Sequence, residues 1–368
     1  MLCLETQQKS LEEVDHRVDR IVGLHFDPQD GSRYWLEREA VLGIDARREI
    51  RTVSDLPKLG PMDEKALATR PIEDFIPRSI LSRRRELIIA ETAGTLGWAK
   101  FCVHRRDEFH EAFVVPFLAA AQRVAFPRGL NWLFIGPSGP HIIGKAAAAC
   151  ANAMDSPDPF MIDLDPRWAK KLPPGTFAWS RYLEHVEVQT MTIIESQKVG
   201  VLFSTPIVLE SLASRIDSRK RNEIRGLHLG GVSVSPQQRA LFAEAFPNAV
   251  ILSGYGNSLF GVMPELAFSS AEGFDYYPHG GRLIVRIIPV GDRTAEERLK
   301  QDVPFGVRGQ VVISRLDETQ LIVNMMERDS AVRIAPLSSA IPEGFFHNGV
   351  RDPRPIVNQA LKPAVGFY

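Results

Sequence analysis

Cysteine is scarce in this sequence: Cys3, Cys102 and Cys150 are the three among 368 residues. An odd number with no C-x-x-C pair excludes a disulfide framework and a thiolate zinc site, and it suits a reducing cytoplasm. Long apolar runs are missing as well. The longest, such as Phe113 to Ala121, fall far short of the ~20 residues that cross a bilayer, and the opening MLCLETQQKS turns polar at once. Neither a membrane anchor nor an export signal is expected. Charge of one sign is not in excess, since 44 Lys+Arg stand against 45 Asp+Glu for a net charge of -1. That balance leaves no field to gather nucleic acid or anionic lipid. Internal repeats and low-complexity tracts are also lacking, which excludes solenoids and linkers.

The chain does have 44% hydrophobic and 24% charged residues, enough to bury a sizeable core without metals or cross-links. Its length allows one large domain or two to three ordinary ones. Residues 1–86 read as an irregular helical region. Ser10 with Glu13 forms an S-x-x-E capping box ahead of Val14, Val18, Ile21 and Val22 at helical spacing. A second helix is expected over Arg33 to Arg51, then a connector punctuated by Pro57, Pro61, Pro71 and Pro77, and a solvated turn at Arg83, Arg84 and Arg85.

Over residues 87–258, short apolar runs alternate with amphipathic segments, the pattern of α/β units. Strands are expected at Leu87 to Ala90, Trp132 to Ile135, Phe160 to Ile162, Val199 to Phe203, Ile224 to Leu229 and Val250 to Leu252. Helices are expected near Asp107 to Arg123, Ile143 to Ala153, Ser180 to Ser196, Pro206 to Ile216 and Pro236 to Ala245. Residues 259–368 form a β-rich part with strands at Leu283 to Ile288, Gln310 to Arg315 and Leu321 to Met325. The fold class is therefore α/β with a β-rich C-terminal part.

Four segments could carry chemistry. Glu91-Thr92-Ala93-Gly94-Thr95-Leu96-Gly97-Trp98-Ala99-Lys100 follows the first α/β strand. Its glycines, hydroxyls and cation are the groups a polyphosphate needs, although its spacing is neither Walker A nor a dinucleotide fingerprint, and taken alone a plain strand-to-helix turn explains it better. Gly230-Gly231 ends a strand, where a flat ring can lie against the backbone, or where a turn leads into a helix capped by Ser235. Ser253-Gly254-Tyr255-Gly256-Asn257-Ser258 lies just beyond another strand, and Arg328-Asp329-Ser330 follows Leu321 to Met325.

Taken together, in this order, these segments resemble the AMP-forming adenylate family, in particular phenylacetate-CoA ligases and the acyl-protein synthetase of bacterial luminescence. Thr92, Gly94, Thr95, Gly97 and Lys100 match the family loop [ST]-[SG]-G-[ST]-T-G-x-P-K, Ala93 stands at its second, small-residue position, and Leu96 and Ala99 depart from it. Gly230-Gly231 is similar to the adenine-side strand end, Tyr255-Gly256-Asn257-Ser258 to the Y-G-x-[ST]-E element, and Asp329 to the ribose-binding Asp. The resemblance covers roughly Leu87 to Arg351.

The resemblance implies the large N-terminal lobe of the acyl-adenylate-forming fold, with layered sheets flanked by helices. It also implies activation of a small carboxylic acid by ATP with Mg²⁺. Thr92, Thr95 and Gly94 would hold phosphate oxygens together with Gly97, and Lys100 would neutralise pyrophosphate. Gly230, Gly231 and Tyr255 would flank adenine, with Gly256, Asn257 and Ser258 beside them. Asp329 would bind the ribose hydroxyls, and Arg351 would mark the hinge. His141, in Gly136-Pro137-Ser138-Gly139-Pro140-His141, would orient a carboxylate or act as a base, or be an ordinary residue of a helix-entry turn. No residue is assigned to a metal. Asp163 and Asp165 are expected in a strand-end turn, and Cys102 and Cys150 in the core.

Two departures bear on chemistry. Leu259 stands where relatives carry the Mg²⁺-associated Glu, so Glu265 or water would have to substitute. Only 17 residues follow Arg351, too few for the family's small lobe. CoA, an acyl or peptidyl carrier protein, or a separate lobe-supplying chain is the expected partner, with a homodimer as the expected assembly. The alternative is a catalytically degenerate nucleotide- or acyl-binding subunit of a biosynthetic assembly.

Overall fold

The structure, a computed structural model, describes residues 2–92, 94, 99–169, 171–173 and 175–356. Thirteen strands are formed among them: β1 (Leu87–Glu91), β2 (Phe101–Arg105), β3 (Trp132–Gly136), β4 (Phe160–Asp163), β5 (Val201–Ser204), β6 (Gly226–Leu229), β7 (Val250–Asn257), β8 (Gly261–Ser269), β9 (Gly273–Tyr276), β10 (Leu283–Ile288), β11 (Arg308–Leu316), β12 (Leu321–Ile334) and β13 (Gly349–Pro355). Compactness groups the chain into two units. Of the described residues, one comprises those within 2–89, 100–109 and 274–356, and the other those within 90–99 and 110–273.

The first unit joins the helical N-terminus to the β-rich C-terminal part. Its strands run in the order β10-β11-β12-β13-β9, antiparallel throughout. The helix Leu2–His25 buries Val14, Val18, Ile21 and Val22, the face expected from their spacing. The capping box does not start it, because the backbone is already helical from Leu2 and an N-cap must be non-helical. The helix expected over Arg33 to Arg51 stops at Leu42, where Gly43 turns left-handed at φ 64°, and resumes only as Ala46–Glu49.

A buried ionic knot holds the β11–β12 turn of this unit. Asp317 accepts from Arg282 (Nε–Oδ1 3.1 Å, Nη2–Oδ2 2.6 Å) and from Arg315 Nε at 2.6 Å, and all three side chains are buried. The two guanidinium groups hold the Asp317 carboxyl far below the ordinary carboxylate range against the effect of burial. His25 Nε2 reaches the Asp317 carbonyl at 3.0 Å, and Thr319 donates to the buried Glu108. The N-terminal helix and β2 are thereby pinned to one hairpin.

The second unit is a sheet ordered β4-β3-β5-β6-β7-β8, parallel from β4 to β7 and closed by the antiparallel β8. One face carries a core of Phe117, Phe126, Trp132, Phe134 and Phe203, over which Ala147, Cys150 and Ala151 of the helix Ile142–Ala153 close. Small residues on that helix let it approach the sheet: a Cβ on Gly144 would stand 2.7 Å from Ser138 Cα. Cys102 and Cys150 are buried as expected, and burial pushes the Cys150 thiol up to about 12.

β2, β8, β9 and β13 are strands that the sequence reading did not assign. β8 contains Pro264 and β13 contains Pro353 and Pro355, residues that argue against a strand unless it is an edge or pairs at a bulge. β7 also runs on to Asn257, so Gly254, Tyr255 and Gly256 lie within the strand rather than beyond it. Likewise Arg328, Asp329 and Ser330 lie inside β12.

Candidate functional site

In the second unit the parallel strands follow the spatial order β4-β3-β5-β6-β7, so the chain leaves β3 toward one side and β5 toward the other. Open α/β sheets bind ligands at such a reversal, outside the carboxyl ends of the strands. The segment after β3 is Pro137 to His141, and the segment after β5 begins at Thr205.

Strand register fixes what lies there. Phe134 pairs with Phe203, Phe203 with His228 and His228 with Leu252, and the rings of Phe134, Phe203 and His228 form one row on one face. Two residues further along each strand, the same face carries Gly136, Thr205, Gly230 and Gly254. Beyond this aromatic floor, Phe203 and Val262 stand against the sites of Gly230 and Gly254, and Gly136 and Thr205 are buried. The floor histidine is neutral: burial lowers His228 to about 4, and its Nδ1 lies 3.2 Å from the Leu252 carbonyl.

Two polar atoms at this place have no partner. Thr205 is wholly buried at the N-cap of the helix Pro206–Ala213, yet its Oγ1 caps nothing and bonds nothing. His141 is buried with Nε2 unpartnered. Burial, then the nearby Arg167 cation, lowers the His141 pKa, opposed by the Glu91 carboxylate and a hydrogen bond toward the Glu91 backbone. Buried unpaired polar atoms cost roughly 1–3 kcal/mol each and call for a reason.

The loop after β1 is tied into the same unit. Glu91 N donates to the Pro140 carbonyl at 3.1 Å, Ser258 Oγ donates to the Glu91 carbonyl at 3.2 Å, and Arg167 grips the Glu91 carboxylate at 2.7 Å. Thr92, His141 and Ser258 are thus brought to one neighbourhood through Glu91. Gly94 has φ 58°, a left-handed value that favours glycine. Thr95 and Gly97 lie outside the described residues.

Gly230 and Gly231 follow β6, and Gly231 takes φ 87°. Tyr255 packs near Phe260, ring centroids 6.4 Å apart. Gly256 has a purely architectural reason to be glycine, because a Cβ there would stand 2.0 Å from the Gly261 carbonyl oxygen across the β7–β8 hairpin. Asn257 Oδ1 accepts from Leu259 N at 2.9 Å and shapes that turn.

Lys100, Asp329 and Arg351 belong to the first unit. Lys100 Nζ is 2.6 Å from Glu64 Oε2. Asp329 is half-buried on β12 opposite Pro355. Arg351 lies opposite Asp275 and forks onto its carboxylate through Nε at 2.6 Å and Nη2 at 2.8 Å.

The donor set does not fit a protein-held Mg²⁺. Leu259 is buried and apolar, while Glu265 accepts from Ser253 N at 3.1 Å and Ser253 Oγ at 2.7 Å, with Arg239 3.6 Å away. Among the described residues, no three His, Cys, Asp or Glu side chains cluster as a metal site. Asp163 instead accepts from Ser138 N and Oγ, and Asp165 from Arg167, as a strand-end turn requires.

Thr205 and His228 were not singled out from the sequence, although Pro206 after Thr205 marks a helix start directly behind a strand.

No family model matches the chain, and no curated protein matches it in sequence. Solved structures do match. An open conformation of 2-hydroxyisobutyryl-CoA ligase in complex with 2-HIB-AMP and CoA superposes with a TM-score of 0.63 at 14% identity, over 94% of this chain and 68% of the ligase. The same ligase in its thioesterification state, also with 2-HIB-AMP and CoA, gives 0.64 at 13% identity, over 94% and 67%. The fold is that of the adenylate-forming ligases. The chain spans about two thirds of the length of the ligase chains it matches. Among the described residues, no helix is long and apolar enough to cross a membrane.

Proposed function

We propose that this chain activates a small carboxylic acid with ATP. The acid's carboxylate attacks the α-phosphorus, the bond to the bridging oxygen breaks, and pyrophosphate leaves with that electron pair, giving an acyl adenylate. The acyl group then passes to a thiol or amine of CoA or a carrier protein, releasing AMP.

The observation that carries this reading is the reversal of strand order between β3 and β5, with Gly230-Gly231 following β6 on that sheet and the glycine-bearing loop after β1 tied to it through Glu91. It is supported by the likeness of fold to a ligase crystallised with an acyl-AMP and CoA. In this reading Thr92 and Gly94, with Thr95 and Gly97, bind phosphate oxygens, and Lys100 exchanges Glu64 for pyrophosphate. Gly230, Gly231 and Tyr255 flank adenine, Asp329 binds ribose, and His141 faces the acid. Backbone N–H groups and cations that meet growing phosphoryl charge would supply most of the rate.

A second reading is favoured by one specific observation. Leu259 is apolar where the resemblance expects an acidic side chain, and Glu265 is already engaged by Ser253. A subunit that binds nucleotide without turning it over would tolerate both. Acid-dependent ATP–pyrophosphate exchange tests the choice: exchange with any acid supports the ligase, whereas nucleotide binding with no exchange supports the binding subunit.

A further inference from the structure

In the first unit, one carboxylate of the N-terminal helical region meets two cations. Glu64 lies in the short helix Glu64–Thr69, and its Oε2 stands 2.6 Å from Lys100 Nζ and 4.0 Å from Arg328 Nη2. Lys100 directly precedes β2 and Arg328 lies in β12, so three separate segments converge on one oxygen. The helix has no need of that carboxylate, because the Asp63 side chain already caps it by accepting from Ala66 N at 3.0 Å. Nor is the meeting place sealed. The side chains of Glu64, Arg328 and Lys100 keep 36%, 51% and 19% of their surface exposed, so an incoming anion can reach both cations.

Charge decides what such an anion must be. Two cations and one carboxylate leave a net positive charge on these three side chains, and the charge doubles once the carboxylate is displaced. A free monocarboxylate brings the same charge as Glu64 but no tether, whereas a tethered group acts at an effective concentration of about millimolar. The monocarboxylate therefore loses the exchange. A polyvalent phosphate brings more charge and several acceptor oxygens, which a planar guanidinium and an ammonium can share.

We propose that Lys100 and Arg328 form a seat for a pyrophosphate-type anion, and that Glu64 is its built-in competitor. This rests on the role given to Lys100 in the reading above, and adds to it a second cation and an internal rival, yet it is tested without turnover. Isothermal titration of sodium pyrophosphate into the full chain, at constant ionic strength, measures the seat directly. Glu64→Gln should bind pyrophosphate about fivefold tighter than wild type, the upper range for a partly exposed ion pair. Arg328→Gln should bind it about fivefold weaker, and Arg328→Lys, which keeps the charge, should retain most of the affinity. Glu73→Gln removes an exposed carboxylate elsewhere in the same helical region and should change nothing, which separates the seat from net charge. Acetate should not compete.

Absence of pyrophosphate binding in both wild type and Glu64→Gln, an unchanged or lowered affinity in folded Glu64→Gln, an equal gain in Glu73→Gln, or competition by acetate would each overturn the proposal. So would an unchanged affinity in folded Arg328→Gln; if that variant does not fold, Glu64→Gln and Arg328→Lys decide. The expected binding changes without acid-dependent exchange would overturn only the ligase reading, and exchange indifferent to Glu64 and Arg328 would overturn only the seat.

Discussion

The buried neutral histidines make the stability of this protein steeply dependent on pH, and His228 isolates one contribution. Burial depresses His25, His228 and His347 to about 4 from an ordinary 6.5. Between those values the unfolded chain binds the protons and the folded chain does not, so their stabilisation is complete above the unfolded pKa and declines as pH falls toward the folded one. At pH 5 each takes up roughly 0.9 proton on unfolding, and the three together give a slope of roughly 3.6 kcal/mol per pH unit. The buried Glu108 and Glu265, pushed upward by burial, act in the opposite sense because they hold protons when folded. His228→Phe avoids that complication. It keeps a ring between Phe117 and Phe203, whose centroids lie 4.9 Å and 4.2 Å from that of His228, and it removes one titrating group. Urea denaturation of wild type and variant at pH 7, 6 and 5 should show the pH-dependent loss of stability reduced by roughly 0.7 kcal/mol between pH 7 and 6 and by roughly 1.2 kcal/mol between pH 6 and 5, on top of a pH-independent offset for the lost contact to the Leu252 carbonyl. Parallel pH profiles for the two proteins would refute the reasoning.

Other expectations follow from the same geometry. Asp317→Asn leaves Arg282 and Arg315 buried without a counter-charge and should lower stability by about 3–5 kcal/mol, read as a drop in denaturation midpoint. Gly256→Ala forces the β7–β8 hairpin apart and should cost about 1–3 kcal/mol, where a neutral result would show that the glycine serves something other than strand pairing. Cys150, buried and with its thiol pushed up to about 12, should escape thiol reagents in the native protein and react after denaturation, as followed by peptide mass mapping.

Elements with strong local signals were legible in the sequence: Leu283–Ile288 is an apolar run buried in a sheet, Pro236–Ala245 opens behind the Ser235 cap, and both coincide with their expected spans. Elements whose reason lies elsewhere in the chain were not. β8 and β13 contain prolines that local rules count against a strand, and their pairing with β7 and with β12 overrides that preference. The functional loops were found by glycine and hydroxyl content, which marks backbone that must bend or be approached. Thr205 escaped, since a threonine before a proline looks like a helix cap until the hydroxyl is seen to cap nothing. The glycines of β7 show the converse, where a motif glycine at Gly256 is already required by the sheet. Burial of Trp132, Phe134, Phe203 and Phe260 is likewise a property of packing that composition does not reveal.

The central claim is that an acid's carboxylate oxygen attacks the α-phosphorus of ATP. Incubating the protein with ATP and a panel of acids labelled with ¹⁸O in the carboxylate, and then weighing the released AMP, tests it directly. AMP carrying one ¹⁸O atom is the predicted result. AMP without label, or ADP in its place, would contradict the account.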